Sequence, residues 1–247
     1  MYNFGVYHWR RRLGRMLVGL LAVAVGLVRS GRECDREEGR GRSLRRLLAS
    51  GLLVWGGYTT VRTVRRITSP PPWRVDGSKY EALAAMLPFG TAGRVVDVGC
   101  GTGRSLVGLA PAVADGATVV GLDVFDDRVI LGNAPTLARR NAAEAGLPVA
   151  PVRGDAAALP LGSGTVDVLT ACRVLHDLPR TDAARTLSEA RRILQPHGTL
   201  GVLELPISHD EGTDPRRYWR GLVADAGFTV EECRTLDGSY VLLSATP

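Results

Sequence analysis

The 247-residue chain has a single lysine, Lys79, three methionines and only 6% aromatic residues. With no rings interleaved among its arginines, it offers nucleic-acid bases no stacking platform. Its four cysteines, at 34, 100, 172 and 233, lack both metal-site spacing and a disulfide framework. They read as thiols of a reducing compartment, and no metal is expected. No apolar run reaches the roughly 18 residues that mark a comfortable membrane span, and no internal repeat is visible. Acidic residues are scarce where basic ones are dense. Residues 1–78 hold 15 arginines against 5 acids, net +10, whereas residues 79–247 hold 16 basic and 20 acidic residues, net −4. The larger, acidic part would repel a phosphate backbone, so nucleic acid is not an expected partner.

The basic part contains two apolar runs bracketed by arginines, Met16 to Val28 (13 residues) and Leu47 to Val61 (15 residues). As a helix the longer run reaches about 22 Å against a hydrocarbon core of about 30 Å, a shortfall that Arg45, Arg46, Arg62 and Arg65 could meet by snorkelling. Such runs beside an otherwise complete domain have no core to join. The expectation is therefore an arginine-rich segment over residues 1–67 with two apolar helices, attached to a membrane through residues 13–66. Arginines are nearly balanced, 7 in the stretch 29–46 and 8 in the two outer flanks, so topology stays open. Three alternatives stand beside this one. A signal peptide would need a better cleavage site than Val28-Arg29-Ser30-Gly31. The helices could instead pack on the domain as a substrate lid, or translation could start at Met16. Ser69-Pro70-Pro71-Pro72-Trp73 reads as a stiff polyproline spacer within a linker at 68–78, leaving a domain at 79–247.

In that domain strands alternate with helical stretches, which implies an α/β fold with a parallel sheet. Val95-Val96-Asp97-Val98 runs into Gly99, Gly101 and Gly103. These glycines can take positive φ and admit a ligand where any Cβ would collide, and the following helix can open at Thr102 or Gly103. A dinucleotide loop wants its third glycine one residue later, where Arg104 stands, so the spacing disfavours NAD. A nicotinamide-dependent reductase is the lesser alternative. The next strand, Thr118 to Leu122, ends at Asp123, about 20 residues past the last glycine, where a carboxylate can accept from both ribose hydroxyls.

The pattern D-x-G-x-G-x-G from Asp97 to Gly103 resembles motif I of the class I S-adenosylmethionine-dependent methyltransferases. Four further stretches follow the family in order. Val149 to Ala156 resembles its third nucleoside contact, in which Asp155 would accept from the adenine amino group. Val166 to Ala171 reads as strand four. Leu175-His176-Asp177-Leu178-Pro179 is similar to the L-H-H-L-P stretch of the quinone-biosynthesis branch and related small-molecule methyltransferases. After a helix at Arg185 to Leu194, Gln195-Pro196-His197-Gly198 resembles the Pro-Gly-Gly turn into strand five, with His197 replacing the first glycine. Thr229 to Cys233, Asp237-Gly238 and Tyr240 to Ser244 read as a terminal hairpin. The resemblance covers residues 79–247. It implies a Rossmann-like seven-stranded, mostly parallel sheet in the order 3-2-1-4-5-7-6 with an antiparallel last strand; the α-helical, membrane-associated N-terminal segment expected from the apolar runs precedes it.

The resemblance implies S-adenosylmethionine as cofactor, held by Asp97, Gly99, Cys100, Gly101, Gly103, Asp123, Val124, Asp155 and Ala156. Cys100 is expected to pack rather than react. The reaction would be attack of an acceptor nucleophile on the sulfonium methyl, for which the protein supplies alignment, water exclusion and a destination for a proton. His176, after strand four at the carboxyl edge of the sheet, is the candidate base, and a turn histidine bonding backbone is its structural alternative. His209 reads as a solvated loop residue, and Glu204 as either closing strand five or touching substrate. Tyr80 and Arg104 are weaker candidates for cofactor contact and are not counted in the site. Tethering hints at a small lipophilic acceptor met at the membrane surface, with the catalytic domain cytoplasmic. A membrane-anchored protein that binds the cofactor without transferring methyl is the second reading.

Overall fold

The computed structural model describes residues 1–32, 41–68 and 71–247, with side chains for all of these except residues 31, 32 and 41–45. Cys34, the rest of the 33–40 connection and Ser69-Pro70 of the expected spacer lie outside the described residues. The chain divides into two compact units. One comprises Gly5–Arg74 with Arg128–Leu131; the other comprises Met1–Phe4, Val75–Asp127 and Gly132–Pro247.

The first unit is a pair of helices, α1 (Trp9–Arg32) and α2 (Gly41–Thr68). Both outrun the apolar runs at their centres, because arginine is a good helix former and no proline interrupts either stretch. At 24 and 28 residues they measure about 36 and 42 Å. Within α1, residues Trp9–Ser30 are long and apolar enough to cross a membrane by length and composition. The helices run antiparallel. A Cβ at Gly56 would lie 2.6 Å from the Gly19 carbonyl oxygen, and Arg12 reaches the Arg66 carbonyl at 2.6 Å. Backbone hydrogen bonds from His8 to Val129 and from Leu131 to Val6 complete this unit.

The second unit opens with Met1–Phe4 and resumes at a short helix α3 (Ser78–Ala84). There follow β1 (Arg94–Val98), α4 (Arg104–Leu109), β2 (Thr118–Asp123), α5 (Pro135–Glu144), β3 (Val149–Arg153), β4 (Val166–Cys172), α6 (Arg180–Ile193), β5 (Leu194–Glu204), α7 (Pro215–Asp225), β6 (Thr229–Leu236) and β7 (Tyr240–Thr246). The seven strands form one sheet in the order β3-β2-β1-β4-β5-β7-β6, with β7 antiparallel to both of its neighbours. Alternation along β1 sends Val95 to one face and Val96 to the other, as period-2 geometry requires. On the first face Val95, Val119 and Val168 pack with Leu83, Leu106 and Ala138 of α3, α4 and α5. On the second, Val96, Val120 and Leu169 pack with Leu187 of α6 and Trp219 of α7.

Two boundaries differ from the sequence expectation. Helix α6 starts at Arg180, immediately after Pro179, rather than at Arg185, because proline fits just outside a helix start. Gln195 to Gly198 is not a turn ahead of strand five but an irregularity within β5. Leu194 pairs with Val166 and Thr199 with Val168, so the extra residues bulge outward with His197 exposed. The terminal hairpin turns at Asp237 and Gly238, both at positive φ.

Candidate functional site

The carboxyl ends of β1, β2, β3 and β4 lie side by side, so segments far apart in sequence meet at one edge. Gly99, Gly101 and Gly103 have φ of 73°, 52° and 84°, the left-handed region that the loop needs and that side chains disfavour. A Cβ on Gly99 would fall 2.3 Å from Val174 Cγ2, so the loop and the segment after β4 touch closely. The Gly101 N–H donates to Asp123 Oδ2 at 2.9 Å, tying the loop to the acid at the end of β2. Asp123 Oδ1 accepts from the Phe125 N–H at 2.6 Å and from Asn133 Nδ2 at 3.2 Å.

Asp97 is fully buried and spends both carboxylate oxygens inside the fold, accepting from Ser105 and, at 2.6 Å, from Thr170. Burial pushes its pKa up to about 6, against the lowering effect of those two hydroxyls. Its position is that of a strut between β1, β4 and α4. Cys100 is buried, and burial raises its thiol well above the ordinary range, which suits packing and not nucleophilic chemistry. Val124 is exposed beside Asp123. The Gly154 N–H donates to the Asp123 carbonyl, bringing the exposed Asp155 to the same edge, where its carboxylate accepts from Ala157 N–H at 2.9 Å; Ala156 is buried in the core.

His176 stands on a single 3-10 turn after β4. Its Nδ1 lies 2.6 Å from Glu204 Oε2. Glu204, at the end of β5, is wholly buried and its Oε1 accepts from the N–H groups of Val174 and Leu175 at 2.9 and 2.7 Å. A carboxylate already accepting from backbone must accept from the imidazole too, so Nδ1 carries a proton, and in the neutral ring Nε2, 3.6 Å from Asp177 Oδ1, keeps the lone pair. Burial alone would lower the His176 pKa, but the hydrogen bond and charge of Glu204, with help from Asp177, outweigh it and raise the value. Glu204 therefore closes the strand and orients the histidine. His209 is not a solvated loop residue. Its Nδ1 meets the Tyr218 hydroxyl at 2.6 Å and its Nε2 the Leu178 carbonyl at 2.8 Å, so both nitrogens are spent on structure.

Three features escape a linear reading. Residues 1–4 dock beside the glycine loop: Thr102 donates to the Phe4 carbonyl at 3.2 Å, Asn141 bonds both backbone groups of Asn3, and the Arg104 guanidinium lies 4.4 Å from the Phe4 ring centroid. Tyr80 is buried under α4 against Gly108. Three buried polar atoms have no hydrogen-bond partner among the described residues, Asn133 Oδ1, Arg173 Nε and, on β6, Arg234 Nε. Asn133 flanks Asp123, and Arg173, at φ 59°, sits at the end of β4. Only Asn133 carries a sequence signal, as a loop asparagine after Gly132. Unmatched donors and acceptors around a glycine cradle are what a polar ligand with hydroxyl and carboxylate groups would satisfy, so the residues present fit S-adenosylmethionine.

Residues 95–198 match the family described as "Methyltransferase domain". The chain is 28% identical over 151 residues to demethylmenaquinone methyltransferase of Shouchella clausii, covering 61% of this chain and 59% of that protein. It is 30% identical over 122 residues to 27-O-demethylrifamycin SV methyltransferase of Amycolatopsis mediterranei, covering 49% and 42%. The chain thus spans about half the length of these relatives. Among solved structures, the [4+2]-cyclase SpnF superposes with a TM-score of 0.56 at 21% identity, over 69% of this chain and 80% of that one. At that identity the likeness establishes fold alone, and a cyclase on the same fold shows that fold does not assign the reaction. The matched segment, with its glycine loop and strand-end acid, is a methyltransferase domain similar to the class I S-adenosylmethionine-dependent enzymes, a likeness that supports S-adenosylmethionine as cofactor.

Proposed function

We propose that the protein transfers methyl from S-adenosylmethionine to a hydroxyl of a small lipophilic acceptor, with His176 as general base. The observation that carries this reading is the imidazole fixed 2.6 Å from buried Glu204 at the carboxyl edge of the sheet. When bound, the cofactor supplies an activated methyl carbon and a neutral thioether leaving group. The glycines at 99, 101 and 103 would admit it, Asp123 and Asn133 would take its ribose hydroxyls, and Val124, Asp155 and Ala156 would flank its adenine. Arg173 would meet its carboxylate. Glu204 holds both His176 and Val174, and Val174 packs on Gly99, so one buried carboxylate sets the base and the loop in mutual register. His176 Nε2 takes the acceptor proton as the new bond to oxygen forms.

The names of two relatives, one acting on demethylmenaquinone and one on a rifamycin, support a ring-bearing, largely apolar acceptor. The helical unit supports delivery from a membrane. Its buried side chains are small, while Leu17, Leu21, Leu27, Leu47, Val54 and Val61 are more than half exposed. Such packing supports surroundings as apolar as the side chains themselves.

Turnover of methyl-labelled cofactor with membrane extract tests the reading. Label should pass to an organic-extractable acceptor, and His176→Gln should lower kcat by about 10²- to 10⁴-fold while leaving cofactor affinity unchanged. Because the His176 pKa is raised and only the neutral ring is a base, kcat/KM should climb with pH through a value above the ordinary 6.5. Cofactor binding without label transfer would instead establish the second reading, a binding protein that transfers nothing.

A further inference from the structure

The helical unit contains a groove of about 680 Å³ that the proposed methyl transfer does not use. It lies at the end of the pair where α1 begins and α2 finishes. Arg11, Arg15, Arg62 and Arg66 line it, together with Trp55 and Tyr58. Neither α1 nor α2 contains an aspartate or glutamate, so the four guanidinium groups have no counter-charge on their own helices. The neighbouring threonines do not compete for a ligand, since Thr59, Thr60 and Thr63 turn their hydroxyls onto carbonyls of their own helix at 2.8–2.9 Å. Arg62 lies over the Tyr58 ring at 5.9 Å, which keeps its planar fork at the groove instead of trailing into solvent.

Two chemistries meet here. Planar guanidinium forks match the oxygens of a phosphate bidentately. Val18, Trp55 and Tyr58 give the groove apolar lining, and on the same two helices Leu17, Leu21 and Val54 are 56%, 65% and 73% exposed. A free phosphate would satisfy the arginines and leave that apolar surface bare; an acyl chain would cover the surface and leave the arginines unmatched. A molecule with a phosphate at one end and hydrocarbon at the other meets both. A head carrying its own cation would place that charge against the four arginines, so the head must be net anionic.

We propose that this groove binds the phosphate head of an anionic membrane lipid. The proposal rests on the membrane reading of the helical pair, and its test separates the two. Full-length protein is floated with phosphatidylcholine vesicles and with vesicles that also contain phosphatidylglycerol. Binding to both, tighter with phosphatidylglycerol, is expected. Arg15→Gln with Arg62→Gln should weaken binding to the anionic vesicles about 30-fold, at roughly one decade in affinity per 1.4 kcal/mol and 1 kcal/mol per arginine, without changing binding to phosphatidylcholine. Arg10→Gln with Arg65→Gln, at the same end but outside the groove, should cost about threefold or less. Arg15→Lys with Arg62→Lys keeps the charge and loses the fork, and should cost about tenfold. Equal losses for the two glutamine pairs, or no loss with lysine, would reduce the effect to diffuse charge and overturn the site. Displacement by inorganic phosphate would identify a soluble anion as the ligand and overturn the lipid assignment. Equal binding to both vesicles would overturn the headgroup site alone, and binding to neither would overturn the membrane reading with it.

Discussion

The two units of this chain are packed by opposite rules. In the sheet unit the fully buried side chains are its largest, Trp219, Tyr80, Phe89, Leu106 and Leu203 among them. Among the described residues of the helical unit the buried ones are Gly19, Ala22, Gly26, Ala49, Gly56 and Thr63, and most of the large apolar side chains are exposed. Burying large side chains is the solution when the surroundings are water, because each removes apolar area at about 25 cal/mol per Å². Burying small ones gains little by that route but lets backbones approach closely, which is the favourable solution where the surroundings are themselves apolar. The contrast is what the proposed membrane association of the helical unit requires, and it can be broken by substitution.

The largest effect is expected inside the sheet. Leu203→Ala should destabilise the sheet unit by about 2–5 kcal/mol, since Leu203 is fully buried between β4 and β7 and leaves a cavity. Urea titration followed by Trp219 fluorescence checks it. A smaller effect concerns Asp97. Its folded pKa is raised from 3.8 to about 6, so the protonated form favours folding. That contribution is fully present below pH 3.8, is lost as pH rises through 6, and amounts to about 3 kcal/mol at 1.36 kcal/mol per unit. Asp97→Asn, neutral throughout, should remove this part of the pH dependence when unfolding free energies are compared between pH 4 and pH 8. The smallest effect is expected in the helical unit. Leu21→Ala, at a site 65% exposed, should change stability in detergent by less than about 0.5 kcal/mol, yet reduce partition into vesicles. A loss as large as that of Leu203→Ala would contradict the opposed packing.

What the sequence revealed follows the same division. The sheet unit was legible because its determinants are local. Glycines at 99, 101 and 103 demand positive φ, the apolar run from Thr118 ends as a strand at Asp123, and alternation of strands with helices dictates a parallel sheet. Within the helical unit the apolar runs of 13 and 15 residues understated helices of 24 and 28, because arginine continues a helix as readily as leucine does. Long-range pairings were not legible. Nothing near Phe4 announces that its carbonyl will meet Thr102, 98 positions away, and nothing near Glu204 announces His176. Arg173 at φ 59° contradicts its own propensity, and such positions are fixed by surroundings that a linear pattern does not contain.

The claim on which the account turns is that the glycine loop and Asp123 form a cofactor cradle. Calorimetric titration of S-adenosylmethionine into the full-length protein in detergent, wild type against Asp123→Ala, tests it directly. The account predicts binding that weakens by about 1.5–3 kcal/mol, roughly 10- to 150-fold, when a charged acceptor for two hydroxyls is removed. Unchanged affinity in the variant, or no binding by the wild type, would contradict it.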